Sequence, residues 1–133
     1  MFAKTIARIL GIVVAVLAVV GLFVEGRHLA GFANVDLPLD ISRIVIAAAL
    51  LWVGFGRIGR GALAAVLALV GIVYVLMGVV ALIDRELLGV LPTGFTGVDV
   101  VFHILAGFLA LIAAFTLRRE VDTRAPSGLP TRS

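Results

Sequence analysis

Cysteine is absent from this 133-residue sequence, and charged residues are scarce, at 14% of the chain. The lack of cysteine excludes disulfide bonds, thiolate metal sites and dithiol exchange chemistry. Soluble domains carry about 25% charged residues, whereas here 62% of the residues are hydrophobic and the mean hydropathy is +1.25. The composition therefore predicts a single-domain integral membrane protein.

The sequence also lacks the motifs of several enzyme classes. It contains no Walker loop, no GxGxxG after a strand, no HExxH and no GxSxG. Ion-coupled transporters and proton pumps need carboxylates or histidines near the middle of the bilayer, and the third apolar segment has no charged residue at all. These absences predict a protein that is not an enzyme, has no cofactor and is not an ion-coupled transporter.

Four apolar segments are long enough to cross a membrane as helices. They cover about residues 5–24, 41–57, 61–83 and 100–117. A helix rises about 1.5 Å per residue and the hydrocarbon core is about 30 Å thick, so about 20 residues are needed. The second segment is short and must borrow residues 37–39 or 56–59. The sequence thus predicts an all-α, four-helix transmembrane domain over 1–117 and a disordered cytoplasmic tail over 118–133.

The basic residues fall mostly on one side of these segments. Eight of the eleven share that side: Lys4, Arg8, Arg57, Arg60, Arg118, Arg119, Arg124 and Arg132. Six of the eight acidic residues fall on the opposite side. Because an excess of lysine and arginine marks cytoplasmic loops, both termini are predicted to be cytoplasmic in a multi-pass protein of the plasma membrane. The net charge of +3 does not indicate nucleic acid, because the basic residues form no single patch.

The two halves of the sequence resemble each other. Residues 11–13 and 71–73 are both Gly-Ile-Val at an offset of 60, and Asp40 aligns with Asp99 at an offset of 59. Two helices per unit give both copies the same orientation, so the pattern predicts a parallel helix-loop-helix repeat. Small residues recur at helical spacing: Ala7, Gly11 and Ala15; Ala64, Gly71 and Gly78; Ala106, Ala110 and Ala114. Such stripes let helices pack closely within the bundle, and the alternative is that one stripe binds a partner helix.

His103 is the strongest candidate for a binding residue. It follows Asp99 by four residues, so both side chains share one helix face, and Asp99 could orient the imidazole. The alternative is that Asp99 forms a capping box with Thr96 while His103 makes one hydrogen bond inside the bundle. Tyr74 is a further polar group at membrane depth. The candidate ligand-binding or structural polar group is therefore His103, Asp99 and Tyr74.

Metal and haem sites are disfavoured. His103 and Asp99 could be joined by His28 or Glu25, but their spacing is not that of a closed metal motif. Axial histidine pairs of haem usually come from helix interiors, whereas His28 lies in a loop. No metal and no catalytic residue is predicted.

The segment around the fourth helix resembles a family of small bacterial membrane proteins that is catalogued only as a domain of unknown function. The resemblance is carried by residues 87–92 (Leu-Leu-Gly-Val-Leu-Pro), Asp99, His103 and Gly107. The family is typical of high-GC Gram-positive bacteria, so the resemblance implies a bacterial four-helix membrane protein without an assigned activity. Such proteins often carry a comparable histidine in the first half, where this sequence has Arg43 and Ile44. Arg43 is expected to pair with Asp40 and to extend outward.

These observations together predict a non-enzymatic accessory or scaffolding subunit of a membrane complex. Its expected partners are the lipid bilayer and either other membrane subunits or copies of itself, through small-residue helix faces. The alternative function is a binder or carrier of a lipid, a quinone or another small amphipathic ligand between the helices. His103, Asp99 and Tyr74 would then supply the polar contacts.

Overall fold

The computed structural model describes residues 2–24, 28–29 and 31–123. Within them lie four helices: α1 (Phe2–Phe23), α2 (Leu37–Phe55), α3 (Arg60–Ala81) and α4 (Gly97–Asp122). A two-stranded antiparallel ribbon, β1 (His28–Leu29) and β2 (Ala33–Asn34), lies in the connection between α1 and α2. Each of the four helices is long and apolar enough to cross a membrane. The predicted all-α class is confirmed for this part of the chain.

The helix boundaries differ from the predicted segments by one to five residues at every end, and two of these differences change the interpretation. α2 begins at Leu37, so the short second segment borrows residues from the loop before it. Pro38 is tolerated there because the first-turn N–H groups of a helix have no intrahelical partner. α4 continues to Asp122, so the tail predicted to start at residue 118 begins inside a helix. Residues 124–133 lie outside the described part of the chain.

The chain folds into two helical hairpins, α1–α2 and α3–α4, whose helices pack most closely within each hairpin. Glycines permit this close approach. A Cβ atom on Gly71 would lie 2.7 Å from the Leu111 Cγ and 2.8 Å from the Gly107 carbonyl oxygen. A Cβ atom on Gly11 would lie 2.9 Å from the Leu51 Cδ2. The stripes of small residues thus seat the helices of each hairpin on one another.

The two hairpins bury equivalent positions when one is shifted by 60 residues onto the other. All seven buried residues of α2 then coincide with buried residues of α4: Leu39 with Asp99, Asp40 with Val100, Arg43 with His103, Ala47 with Gly107, Leu50 with Ala110, Val53 with Ala113, and Gly54 with Ala114. Seven of the eight buried residues of α1 likewise coincide with buried residues of α3. The offset of 59 brings only three of the seven α2 positions onto buried ones. Burial therefore aligns Arg43 with His103, and not Asp40 with Asp99.

The interior and the outer surface of the bundle are both apolar. Leu50, Leu67 and Ala110 are fully buried in one apolar core to which all four helices contribute. Large hydrophobic side chains also cover the outward faces, among them Trp52 at 62% and Phe108 at 52% of their full exposure. Exposed apolar surface of this extent requires a partner that is not water.

Candidate functional site: a buried polar cluster at the loop end

One end of the bundle, called the loop end, carries the ribbon and the connection between α3 and α4. The buried polar and charged residues of the described chain lie there, and we call them the polar cluster: Asn34, Asp36, Asp40, Arg43, Thr96, Asp99 and His103. They come from β2, from the start of α2 and from the start of α4. The cluster therefore joins parts of both hairpins.

Arg43 is the centre of the polar cluster. Its Nη1 donates to the Asp40 carboxylate at 2.7 Å and to the Asn34 carbonyl oxygen at 2.8 Å. Its Nη2 lies 3.5 Å from the Asp99 carboxylate on α4, and its side chain is only 4% exposed. The expected pair with Asp40 is confirmed, but the expected outward extension is wrong. The guanidinium stays inside because three oxygen partners meet it there, which an isolated snorkelling arginine would not have.

Asp99 binds groups from both hairpins. Its Oδ2 accepts from the Thr96 backbone N–H at 2.9 Å, and the Thr96 hydroxyl accepts from the Asp99 backbone N–H at 3.1 Å. This confirms the predicted capping box at the start of α4. The same Oδ2 accepts from the backbone N–H of Asn34 at 2.7 Å. Asp99 therefore both caps α4 and holds the ribbon of the first hairpin.

Asn34 was not singled out from the sequence, yet it joins the two loops. Its side-chain oxygen accepts from the Asp36 backbone N–H at 2.8 Å. Its side-chain amide lies within hydrogen-bond distance of the Asp36 carboxylate at 2.8 Å, the Thr93 hydroxyl at 2.8 Å and the Gly94 carbonyl at 2.6 Å. The Asp36 carboxylate also accepts from the Thr93 backbone N–H at 3.0 Å. An Asn-x-Asp sequence just before a helix is a local hydrogen-bonding pattern that could have identified it.

The structure brings His103, Asp99 and Tyr74 together, but not as a carboxylate–imidazole pair. The His103 Nδ1 lies 2.8 Å from the backbone carbonyl oxygen of Asp99. Because a carbonyl only accepts, this geometry assigns the proton to Nδ1. The imidazole packs among three aromatic rings, with centroid distances of 4.6 Å to Phe95, 4.7 Å to Tyr74 and 5.8 Å to Phe102. The Asp99 carboxylate instead pairs with Arg43 and accepts a hydrogen bond from Asn34, so it does not orient the imidazole.

No metal site is found among the described residues, since no group of three histidine, aspartate or glutamate residues there could hold an ion. Two of the residues weighed as ligands from the sequence, Glu25 and His28, have side chains outside the described part. The imidazole of His103 is only 1% exposed. Its aromatic neighbours offer no oxygen or nitrogen ligand besides the Tyr74 hydroxyl.

The opposite end of the bundle, called the basic end, carries Lys4, Arg8, Arg57, Arg60, Arg118 and Arg119. Two of these side chains bind the last turn of α2. The Lys4 Nζ donates to the Gly56 carbonyl at 3.1 Å, and the Arg8 Nε donates to the Gly54 carbonyl at 2.8 Å. Cations at a helix carboxyl terminus satisfy carbonyls that lack an intrahelical donor. Three described cavities also border this end, and their residues are distant in sequence from the polar cluster.

Comparison with protein-family models, with curated proteins and with solved structures finds no match to this chain. The resemblance to a bacterial membrane family around Asp99 and His103 therefore stays a prediction. The functional argument depends on the chemistry of the residues described above.

Proposed function

We propose that this chain is a non-enzymatic membrane protein that acts as an accessory or scaffolding subunit of a membrane complex. The observation that carries the proposal is the closed polar cluster. Arg43, Asp99 and Asn34 direct their polar groups at one another and so fix the two hairpins together. A cluster of this kind supports a rigid shape better than it supports chemistry on a substrate, because a catalytic site needs room beside its polar groups.

Insertion into a bilayer is part of the proposal. It is supported by four helices that are long and apolar enough to span it and by the large hydrophobic side chains on their outward faces. The orientation with the basic end in the cytoplasm is supported by the distribution of lysine and arginine. We place the protein in a bacterial plasma membrane on the resemblance noted above.

A parallel duplication of one helical hairpin is also proposed. The equivalence of buried positions at an offset of 60 supports it, as do matching contacts. Gly11 packs on Leu51 in the first hairpin, and Gly71 packs on Leu111 in the second. Both partners of the second contact lie 60 residues after those of the first.

The alternative, a ligand held by His103, Asp99 and Tyr74 between the helices, has less support. The imidazole is in contact with aromatic rings on three sides, and the Asp99 carboxylate is bound by protein groups. The described cavities border the basic end, away from these residues. A quinone or lipid in that place would have to displace packed side chains.

Affinity purification from native membranes in mild detergent, with mass spectrometry of the recovered proteins, tests the proposed role. A tagged, unrelated four-helix membrane protein expressed at the same level is the control for non-specific recovery. We expect a stoichiometric protein partner that the control does not recover. Recovery of the chain alone, as a monomer, would contradict the scaffolding role.

The absence of native cysteine allows a direct test of the orientation. Leu88→Cys places a thiol in the exposed α3–α4 connection, and Arg57→Cys places one in the turn between α2 and α3. A membrane-impermeant maleimide should label the first variant in intact cells and the second only after permeabilisation. The cysteine-free parent is the blank. Labelling of Arg57→Cys but not of Leu88→Cys in intact cells would show that the predicted orientation is wrong.

A further inference from the structure

An open groove runs along the seam between α3 and α4 at the basic end. It consists of two adjoining cavities of about 380 and 260 Å³, and Arg118 borders both. Below Arg60 at the mouth, α3 contributes only small residues to the groove lining, Gly61, Ala64 and Ala68, and these leave space beside α4. From Gly61 to Ala68 the helix advances by seven residue rises, or about 10 Å. The groove therefore leads from the charged end of the bundle to a depth where the helix surfaces are apolar.

The two ends of this groove differ in chemistry. Its mouth is lined by Arg60 from α3 and by Arg118 and Asp122 from α4. Farther in, the lining is apolar and includes Leu111 and Phe115. An amphipathic molecule that places a polar group at the mouth and a hydrocarbon chain along the floor fits this change.

Arg118 is the cation at the mouth that has no protein partner within the described chain. Arg60 lies 3.6 Å from Glu120, so its charge is partly shared, and both of these side chains are about half exposed. The Arg118 guanidinium makes no ion pair and no hydrogen bond with any described residue. A guanidinium fork matches the geometry of a phosphate with two parallel hydrogen bonds.

The charge of the whole basic end favours an anionic group over a zwitterionic one. The described residues there include six basic side chains and two acidic ones, Glu120 and Asp122, so 6 − 2 leaves a net charge of +4. A zwitterionic headgroup would bring its own cation into this field. The cytoplasmic leaflet is the one rich in anionic lipids, and basic pockets between transmembrane helices on that side bind their headgroups.

We propose that the groove binds one anionic phospholipid of the cytoplasmic leaflet. Arg118 holds the lipid phosphate with Arg60 across the mouth, and an acyl chain lies over Ala68, Leu111 and Phe115. The inference rests on the proposed insertion and orientation in the membrane. It does not depend on the scaffolding role or on the polar cluster at the loop end.

The binding test uses the full-length protein in detergent, titrated with phosphatidylglycerol or phosphatidylcholine and followed by native mass spectrometry. We expect tighter binding of phosphatidylglycerol. Arg118→Gln should weaken it by about fivefold, which corresponds to about 1 kcal/mol for one basic residue. The matched control is Arg57→Gln, because Arg57 is exposed at the same end but does not border the groove. That variant should bind almost as the parent does.

A second pair of variants tests the apolar floor without changing charge. Ala68→Leu puts a larger side chain into the groove, whereas Ala62→Leu adds the same volume to an exposed position about 120° away around α3. Ala68→Leu should lower the occupancy by phosphatidylglycerol and Ala62→Leu should not. Free glycerol 3-phosphate in excess should not compete, because it lacks an acyl chain for the floor.

Two failures of this test have different meanings. If the chain is found in the soluble fraction of cells, the proposed membrane insertion fails and the lipid site fails with it. If the chain is membrane-bound but binds both lipids equally, or loses the same affinity in Arg118→Gln and Arg57→Gln, only the lipid site is overturned. Competition by glycerol 3-phosphate would likewise overturn the phospholipid in favour of a phosphate site.

Discussion

The two hairpins bury the same positions but fill them with different chemistry. Arg43 in α2 and His103 in α4 are equivalent at an offset of 60, and both are buried. The histidine bonds to the backbone of its own helix, whereas the arginine reaches across the bundle to Asp99. Equivalent buried positions can therefore carry different side chains. The first hairpin buries an arginine because the second hairpin supplies a carboxylate to pair with it.

The residues that precede α2 and α4 also differ in whether they bind their own hairpin or the opposite one. Thr96 caps α4 with its own side chain, whereas Asp36 precedes α2 without capping it by a side-chain hydrogen bond. The Asp36 carboxylate instead accepts from the Thr93 backbone N–H in the opposite hairpin. The residue before α4 therefore caps its own helix, whereas the residue before α2 uses its carboxylate to bind the opposite hairpin.

The largest effect is expected from removing the charge that links the hairpins. Arg43→Met leaves the buried Asp40 and Asp99 carboxylates without the guanidinium and should lower the free energy of unfolding by about 3–5 kcal/mol. SDS titration of the purified protein, followed by the fluorescence of Trp52, the single tryptophan, measures it. Arg57→Met is the control, since that arginine is exposed and makes no hydrogen bond or ion pair with a described residue. Equal stability of the two variants would mean that the buried Arg43 does not stabilise the contact between the hairpins.

An intermediate effect is expected from the equivalent glycines. Gly71→Ala should destabilise the protein by about 1–3 kcal/mol, because the new methyl group meets the backbone carbonyl of Gly107. Gly11→Ala should cost less than about 1 kcal/mol, because the nearest atoms belong to the Leu51 side chain, which can move. The same SDS titration compares them. A larger loss for Gly11→Ala would mean that the first hairpin is the more tightly packed of the two.

A smaller effect than that of Gly71→Ala is expected at His103. His103→Leu exchanges the imidazole for an apolar group among aromatic rings and removes one hydrogen bond to the Asp99 carbonyl. The expected loss is about 1 kcal/mol, compared with Phe102→Leu as a control in the same aromatic group. A loss above about 3 kcal/mol would show that His103 is as important to its hairpin as Arg43 is to the other. Unchanged stability combined with loss of a recovered partner would instead indicate a binding role.

The sequence was sufficient for the features that depend on neighbouring residues. The spacing of Thr96 and Asp99 predicted a capping box, and the spacing of Asp40 and Arg43 predicted an ion pair. The apolar segments predicted four helices, with errors confined to their ends. Such features follow from helix geometry and need no knowledge of the tertiary fold.

Features that depend on contacts between the hairpins could not be predicted in this way. The approach of Arg43 to Asp99 joins residues 56 positions apart, and the role of Asn34 depends on the loop that holds Thr93. The identity of Asp40 and Asp99 at an offset of 59 does not follow the buried positions of α2 and α4, which coincide at an offset of 60. Burial depends on how the helices pack, and an identity at a single position gives little information about it.

The bridge from Arg43 to Asp99 also has a consequence for the order in which the chain is made. Chains are made from the amino terminus, so α2 is synthesised before Asp99, which follows Arg43 by 56 residues. Until then the arginine lacks one of its two carboxylate neighbours. The first hairpin can complete its hydrogen bonds only after α4 has been made. If the two halves of the chain were expressed as separate polypeptides, each half would lack polar partners that the other half supplies.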